Sequence, residues 1–366
     1  MPIAKLFIKI DLLIFIPAIL LSCFGLLIIY SVSFESDPSF FYRQVFYLIF
    51  SIGLFLLVSQ ISFKTIIQFS FILYSLIILL LIITNFFGSE VQGSVRWLDF
   101  GLVKLQASEL AKPVVVLALS LFFAKHPAKK LKNFLISAIL VVIPAVLILR
   151  QPDFGNFFIL FLIWFFIVFV AGTNIIYLVS LVLISAVSFP LLWNLLASYQ
   201  KARVTTFFNP NFDPQGASYN VVQAIIAFGS GQLIGRGLGR GTQSHLNFLP
   251  AERTDFIFAS TGEELGFLGI SIILLLFVFL VYRLVKLAQS TTQIEESIFI
   301  FGSAFAIFLQ FFINTAVNMG ILPATGITLP FVSFGGSSLA SMFLFLALVQ
   351  SIINQKKEKA DAVLTS

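Results

Sequence analysis

Asp255 lies in GTQSHLNFLPAERTDFIF, residues 241–258, a polar stretch in a chain otherwise rich in apolar residues. Only 10% of the residues are charged, so a carboxylate beside Phe256 and Phe258 is costly unless it has a partner or a task. Lost hydration would pull its ionisation one way, and Arg253 or a helix dipole the other. An acid tuned in this manner suits general-base chemistry, the removal of a proton from a hydroxyl. Glu263 and Glu264 follow on the same segment. They open a helix, where carboxylates match the positive end of the macrodipole, so dipole matching accounts for one of them without any chemistry. Two adjacent helical acids point about 100° apart, so at most one faces a central cavity.

GSVRWLDFGLVKLQASELAKP, residues 93–113, places Arg96 beside the interfacial ring of Trp97 and begins a helix at Gln106 to Ser108. Ser108 and Glu109 fit capping and dipole matching. Lys112, one turn inside an apolar helix, requires an anion, and Glu109 at i−3 is within reach. RQPDFGN, residues 150–156, sets Arg150 and Asp153 at a helix end, where an ion pair that orders the turn and a substrate contact are both open. LPATGITLPFVSFGGSS, residues 322–338, breaks helix at Pro323, Gly326 and Pro330 and then supplies small residues. These allow close backbone approach or hydrogen bonds within a bundle. Asn314 and Asn318, one turn apart, add amides to the same interior face.

The elements that must position these residues are apolar helices. The chain has 366 residues, 59% of them hydrophobic, and a mean hydropathy of +1.05, outside the range of soluble domains. Runs long enough to cross a hydrocarbon core, which takes roughly 20 helical residues, fall at about 10–33, 41–60, 65–87, 108–125, 133–150, 155–172, 174–198, 259–285, 295–319 and 331–354. The expected fold is therefore an all-α polytopic membrane protein, a single integral domain of ten transmembrane helices over residues 1–366. The first run follows Lys5 and Lys9 like a secretory signal, but it is too long and has no small-residue cleavage site, so it reads as a retained helix. Lys5, Lys9, Lys64, Lys125, Lys129, Lys130, Lys132, Arg283, Lys286, Lys356, Lys357 and Lys359 all fall on the side of the termini. That side is assigned to the cytoplasm. The formal charge of +6 is this same bias and implies no nucleic acid.

Two connections are long, about 88–107 and 199–258, and both emerge on the outer side. The second is too apolar and aromatic to be disordered. Asn209-Pro210, Asp213-Pro214 and Gly216 are turn chemistry, and Tyr219 to Phe228 carries a helical apolar stripe suited to a short interfacial helix. GSGQLIGRGLGRG, residues 229–241, with Arg236 and Arg240, lacks the flanking strand and lysine of a nucleotide loop. A turn that lets backbone pack closely and an anionic-substrate cradle remain open for it. Glu35 and Asp37 read as a solvated tip, and residues 355–366 as a polar cytoplasmic tail with no implied fold. One cysteine, Cys23, excludes a disulfide framework or thiolate cluster. Two histidines, His126 and His245, on opposite sides, cannot form a paired-histidine metal site, and no nucleophile elbow lies near His245.

RWLDFG with QASELAKP, RQPDFGN, DPQGASYNVVQAIIAFGSGQLIGRGLG with GTQSHLNFLP, TDFIFASTGEELGFLG and LPATGITLPFVSFGGSS together resemble the shape, elongation, division and sporulation (SEDS) family, the RodA, FtsW and SpoVE proteins, over nearly the whole length. The resemblance implies a ten-helix peptidoglycan glycosyltransferase in the bacterial cytoplasmic membrane, with both termini cytoplasmic and its active site outside. Its substrate would be lipid II, an undecaprenyl-diphosphate-linked disaccharide-pentapeptide, joined into glycan strands with inversion and release of the lipid diphosphate, for elongation or division. The aspartate of the TDF motif, here Asp255, would be catalytic. Substrate contacts would involve Arg96, Trp97, Glu109, Lys112, Asp153, Gln223, Arg236, Arg253, Glu264, Ser333, Gly335, Gly336 and Ser337. The diphosphate needs positive stabilisation, available from Arg96, Lys112, Arg203, Arg236, Arg240 and Arg253. A divalent cation, Mg or Mn, could share that task, and no other cofactor is implied.

The resemblance also implies a class B penicillin-binding protein, a transpeptidase, as partner, with other elongation or division proteins. Family members commonly carry histidine two residues before the catalytic aspartate, where this chain has Arg253. GTQSHLNFLP leans toward the elongation branch, Asn318-Met319-Gly320 and TLPFVSFGGSS toward division. Two other functional classes stand against the polymerase: a flippase for lipid-linked precursor, which needs polar residues reaching both faces, and a non-catalytic scaffold, which would tolerate loss of Asp255. The polar residues gather on one side, which favours the enzyme.

Overall fold

The computed structural model describes residues 10–33, 37–91, 94–101, 104–195, 198–209, 217–246 and 248–365. Its helices are α1 (Leu12–Ser33), α2 (Ser39–Val58), α3 (Phe63–Gln68), α4 (Ser70–Phe87), α5 (Ala107–Lys125), α6 (Leu131–Arg150), α7 (Phe154–Val170), α8 (Ile175–Leu195), α9 (Ser198–Phe208), α10 (Ala217–Ser230), α11 (Thr242–His245), α12 (Ile257–Gln289), α13 (Ile294–Asn318) and α14 (Gly336–Thr365). Among the described residues eight of these are long and apolar enough to cross a membrane: α1, α2, α4, α5, α6, α12, α13 and the part of α14 up to Lys357. The sixth and seventh expected runs correspond to α7, an apolar helix of 17 residues, and to α8, of 21 residues.

The expectation of an all-α chain is corrected at residues 89–105. Three strands, β1 (Ser89–Val91), β2 (Ser94–Asp99) and β3 (Lys104–Leu105), form an antiparallel sheet in the order β1-β2-β3. Its register pairs Ser89 with Trp97 and Leu98 with Leu105. The stretch is short and turn-rich, so tertiary support decides it more than propensity does. α14 continues without a break to Thr365, through the residues of the polar tail. Glu35, the turn residues Pro210, Asp213, Pro214 and Gly216, and Lys5 and Lys9 lie outside the described residues. Asp37 is exposed, as a tip residue should be.

Burial sorts the helices into layers. α5 and α14 are buried on nearly every face, whereas α2, α4 and α12 turn rows such as Ile272, Leu275 and Val278 outward. An apolar outer face combined with an apolar core is what a helix needs to lie between lipid and protein. α12 is broken at Gly266, whose φ of 65° and ψ of −163° leave the helical region. The glycine-rich turn after α10 fills the break. Phe267 N donates to Gln232 O (2.9 Å), Leu268 N to Leu233 O (3.1 Å), Arg236 N to Glu263 O (2.9 Å) and Gly237 N to Glu264 O (3.0 Å). A Cβ at Gly266 would overlap the backbone of that turn. Of the two possibilities for residues 229–241, close backbone packing is therefore the one observed.

The second irregular feature is a strap, residues 319–335, between α13 and α14. The tenth apolar run thus becomes helix only from Gly336, because Pro330 and the turn after it hold residues 331–335 out of helix. Ile327, Leu329, Phe331 and Val332 of the strap are buried. Non-helical backbone is tolerated inside a membrane bundle only where protein satisfies its polar groups. Here Gln44 of α2 donates through Nε2 to Ser333 O (3.1 Å) and accepts from Gly335 N (3.1 Å). Asn314 of α13 donates to Ile327 O (2.7 Å). Glycines let neighbouring helices come close: a Cβ on Gly25 of α1 would overlap the Val332 carbonyl, and one on Gly155 of α7 would lie 2.6 Å from Thr325 O.

Candidate active site

Asp255 sits just before α12, where the chain enters the bundle and lies against the strap. Its carbonyl is held by two amides, Asn314 Nδ2 at 2.8 Å and Asn318 Nδ2 at 2.9 Å. Asn318 Oδ1 also accepts from Ala259 N at 3.0 Å, satisfying a buried donor of the first turn of α12. The flanking residues are fixed from the strap: Phe334 N donates to Arg253 O (2.8 Å), Ser333 Oγ to Thr254 O (2.6 Å), and Leu329 N to Ser333 Oγ (2.8 Å). The backbone is thus clamped while the side chain is left unengaged. No described residue donates a hydrogen bond to the Asp255 carboxylate, and Gly326 is the strap residue beside it, where a Cβ would stand 3.8 Å from Oδ2.

The carboxylate keeps partial access to solvent, yet enough protein surrounds it that lost hydration dominates and raises its pKa above the ordinary aspartate value. Arg96 and then Arg203 pull the other way, and Asp153 adds to the rise. A carboxylate whose pKa is raised is a stronger base than an ordinary aspartate. Arg253 lies 4.4 Å from the centre of the Phe40 ring and its Nε is 2.7 Å from Glu252 Oε1.

A buried polar network stands beside it. Asp153 caps α7, accepting from Asn156 N at 3.2 Å. Its Oδ2 accepts from Gln106 Nε2, Ser108 Oγ and Asn156 Nδ2, each at 2.9 Å. Arg96 NH1, on β2, is 3.9 Å from Oδ1. Of the two readings left open for Arg150 and Asp153, the turn-ordering ion pair is not formed: Arg150 is exposed, and the cation near Asp153 is Arg96. Lys112, fully buried, donates to Glu109 Oε2 (2.7 Å) and Asn156 Oδ1 (3.2 Å). This answers the need of a buried ammonium for an anion. Ser337 Oγ accepts from Gln106 N (2.8 Å), joining the start of α14 to the start of α5. Gly336 packs on Tyr47, whose ring a Cβ would meet at 2.8 Å.

Other expected site residues are elsewhere. Both carboxylates at the start of α12 are buried and structurally engaged. Glu263 accepts from Gln243 N (2.9 Å), Ser244 N (3.0 Å) and Ser244 Oγ (2.8 Å). Glu264 Oε1 meets His245 Nε2 and Ser31 Oγ, both at 2.8 Å. Arg236 is exposed and donates to Thr242 Oγ1 (2.9 Å). Arg236 and Glu264 thus belong to a second cluster that secures the α11 turn. Trp97 contributes its carbonyl to Ser89 Oγ (3.1 Å) within the sheet. Gln223 is half-buried on α10, and neither the Asp255 clamp nor the Asp153 network engages it. Gln44 and Asn156 were not singled out from sequence, and Gln106 only as the start of a helix, although polar residues spaced three or four apart on an apolar helix, as Ser108 with Lys112, are the available signal. Among the described residues no group of three or more His, Cys, Asp or Glu side chains is arranged to hold a metal.

A family profile for FtsW, RodA and SpoVE, described as "Cell cycle protein", matches residues 11–358. The chain is 38% identical over 293 residues to peptidoglycan glycosyltransferase MrdB of Escherichia coli K12, covering 80% of this chain and 79% of that one. It is 34% identical over 330 residues to a probable peptidoglycan glycosyltransferase FtsW of Haemophilus ducreyi, with 88% and 82% covered. Among solved structures, one chain of a peptidoglycan synthase complex that coordinates polymerization and crosslinking superposes with a TM-score of 0.81 at 27% identity, covering 94% of this chain and 98% of that one. The rod shape determining protein RodA of Thermus thermophilus gives 0.71 at 26% identity, with 94% and 96% covered. The sequence motifs, the fold and these likenesses agree: the chain is an integral membrane protein that belongs to the FtsW/RodA/SpoVE family.

Proposed function

We propose that this protein polymerises glycan strands from lipid II, as a peptidoglycan glycosyltransferase of cell elongation or division, with Asp255 as its general base. The observation that carries the assignment of the base is the contrast at Asp255: a backbone clamped by Asn314 and Asn318 and a carboxyl of raised pKa that accepts from no described residue. In the step proposed, Asp255 takes the proton of the acceptor 4-hydroxyl. That oxygen bonds to the anomeric carbon of the donor, the bond from this carbon to the lipid diphosphate breaks, and configuration inverts. Arg96 and Arg203, the cations nearest in effect to Asp255, would stabilise the departing diphosphate. The Lys112–Glu109–Asn156–Asp153 network would hold Arg96 and the start of α5 in place.

The further particulars rest on the same footing. Counting α7 and α8 as spans gives ten, with the termini and the Lys/Arg-rich ends in the cytoplasm and Asp255 outside, as the charge bias supports. The segment 199–258 would then be the large outer loop, with α10 at the interface. A class B penicillin-binding protein is the proposed partner, supported by the likeness to a chain of a synthase complex.

The deciding experiment is polymerisation of lipid II by purified protein free of other synthases. Asp255→Asn and Asp255→Ala should abolish it while leaving expression and partner binding unchanged. Retained polymerisation by Asp255→Ala would reject the assignment. Lipid transport across liposomes by the same variant separates polymerase from flippase. Impermeant labels reaching residues 241–258 only from the cytosolic side would overturn the orientation.

A further inference from the structure

Asp255 is gripped on its downstream side by α13 and the strap, whereas the stretch that leads to it from α11 is held by α12 itself. α11 is a single turn of four residues, far too short to persist alone. Glu263 Oε1 accepts from Gln243 N, and its Oε2 accepts from Ser244 N and Ser244 Oγ. A carboxylate two turns into α12 thus caps α11. Gly241 makes room for it, since a Cβ there would overlap Ser244 Oγ and lie 2.7 Å from Glu263 Oε2. Beside it, Glu264 Oε1 meets His245 Nε2 and Ser31 Oγ of α1, and Ser31 Oγ in turn accepts from Gly239 N at 2.8 Å. Glu263 is fully buried and both its oxygens are engaged by α11, which leaves neither for a substrate.

From this cap a chain of bonds runs toward Asp255. Gln243, whose N–H Glu263 holds, accepts through its carbonyl from Leu249 N at 3.0 Å, and Leu249 is fully buried. Two residues on, Ala251 has a φ of 54°, in the left-handed region that a residue with a Cβ avoids. Its carbonyl accepts from Thr254 N (3.0 Å) and Phe256 N (3.2 Å), the amides on either side of Asp255. A non-glycine residue stays in that region only where its surroundings over-determine it. Downstream, the carbonyls of Arg253, Thr254 and Asp255 are fixed by the strap and α13. Upstream, the bonds that hold Ala251 pass through Leu249 and Gln243 to Glu263. We propose that Glu263 is a positioning residue for Asp255: it holds α11 on α12, so that Ala251 keeps the turn whose two bonds set the direction of the Asp255 side chain. Glu264 ties the same turn to α1. The consequence for catalysis rests on the polymerase reading, and the consequence for the backbone does not.

Two measurements on purified full-length protein in detergent test this: hydrogen exchange of the Thr254 and Phe256 amides, and kcat and KM for lipid II polymerisation. Glu263→Gln replaces an acceptor oxygen by an amide donor facing the α11 donors, and should speed exchange at both amides about tenfold. It should lower kcat about tenfold, less than the roughly 100-fold that a 1 Å misplacement costs, with KM changed by less than about twofold. Ser244→Ala removes one donor from the same carboxylate and should act in the same direction, more weakly. Adding Ala251→Gly to Glu263→Gln should bring exchange and kcat back to within about threefold of the unaltered protein, because glycine takes the left-handed turn without an anchor. A general loss of stability would not be repaired by that change. Unaltered exchange in both Glu263→Gln and Ser244→Ala overturns the anchor. Faster exchange with kcat intact, or a loss of kcat that Ala251→Gly does not recover, overturns the positioning role. Where Glu263→Gln fails to fold, Ser244→Ala with and without Ala251→Gly makes the same comparison. Faster exchange, reversed by Ala251→Gly, in a protein that even unaltered does not polymerise lipid II leaves the anchor standing and removes the polymerase assignment.

Discussion

Removing the two amides that grip Asp255 tests whether the base depends on a clamped backbone. Asn314 and Asn318 donate to the same carbonyl, at 2.8 and 2.9 Å. Either single alanine variant therefore leaves Asp255 O one donor. A hydrogen bond of this kind is worth about 1 kcal/mol, close to fivefold in rate if it acts through positioning alone. Independent losses would multiply to roughly 25-fold in the double variant. With both donors gone the carbonyl is free to shift, and misplacement by about 1 Å costs on the order of 100-fold. The double variant should therefore exceed the product of the singles about fourfold or more, a coupling of about 0.8 kcal/mol. The assay is a double-mutant cycle on kcat for lipid II polymerisation by purified protein. The acid limb of the pH profile should stay in place, because neither amide touches the carboxylate. Losses that merely multiply, or a shifted limb with kcat intact, would refute the clamp.

The acid limb itself should lie above the ordinary aspartate range near 4: a base works deprotonated, and lost hydration raises the Asp255 pKa. Arg96→Gln removes the largest lowering charge, so the limb of kcat/KM should move to higher pH. Lys112→Met leaves Glu109 buried without its cation and should destabilise by about 3–5 kcal/mol, read as a fall in Tm in detergent. Adding Glu109→Gln should recover most of that loss. Gly155→Ala sets a Cβ 2.6 Å from Thr325 O and should displace the strap, lowering Tm and polymerisation together by about 1–3 kcal/mol equivalents. An unchanged Tm would mean that the strap yields locally.

Hydropathy located the helices because a lipid-spanning segment must satisfy its backbone internally, and the resulting apolar runs are visible without any structure. The same signal cannot mark its own exceptions. Residues 331–335 continue an apolar run, yet they form part of the strap, since Gln44, distant in sequence, bonds Ser333 O and Gly335 N in place of a helix. α9 and the sheet at 89–105 escaped for a related reason: short elements in polar connections take their shape from what covers them. Of the site, Asp255 and the Lys112–Glu109 pair were legible from the cost of burying charge. Asp153 was legible as a position, but its partner was not, because Arg96 approaches from another element, β2. Glu263 and Glu264 looked alike in sequence as dipole-matched acids, and only the folded α11 turn separates their two sets of partners.

The strap also bears on the timing of biosynthesis. Helices leave the insertion machinery in chain order, at roughly 5–20 residues per second, and the loop carrying Asp255 emerges well before α13 and the residues that follow it. The groups that fix that loop, Asn314, Asn318 and Ser333, arrive later and settle only when the strap wedges between α1, α2 and α7, which are already in the bilayer. A chain that ends before α13 therefore lacks Asn314, Asn318 and Ser333, the groups that hold the backbone around Asp255.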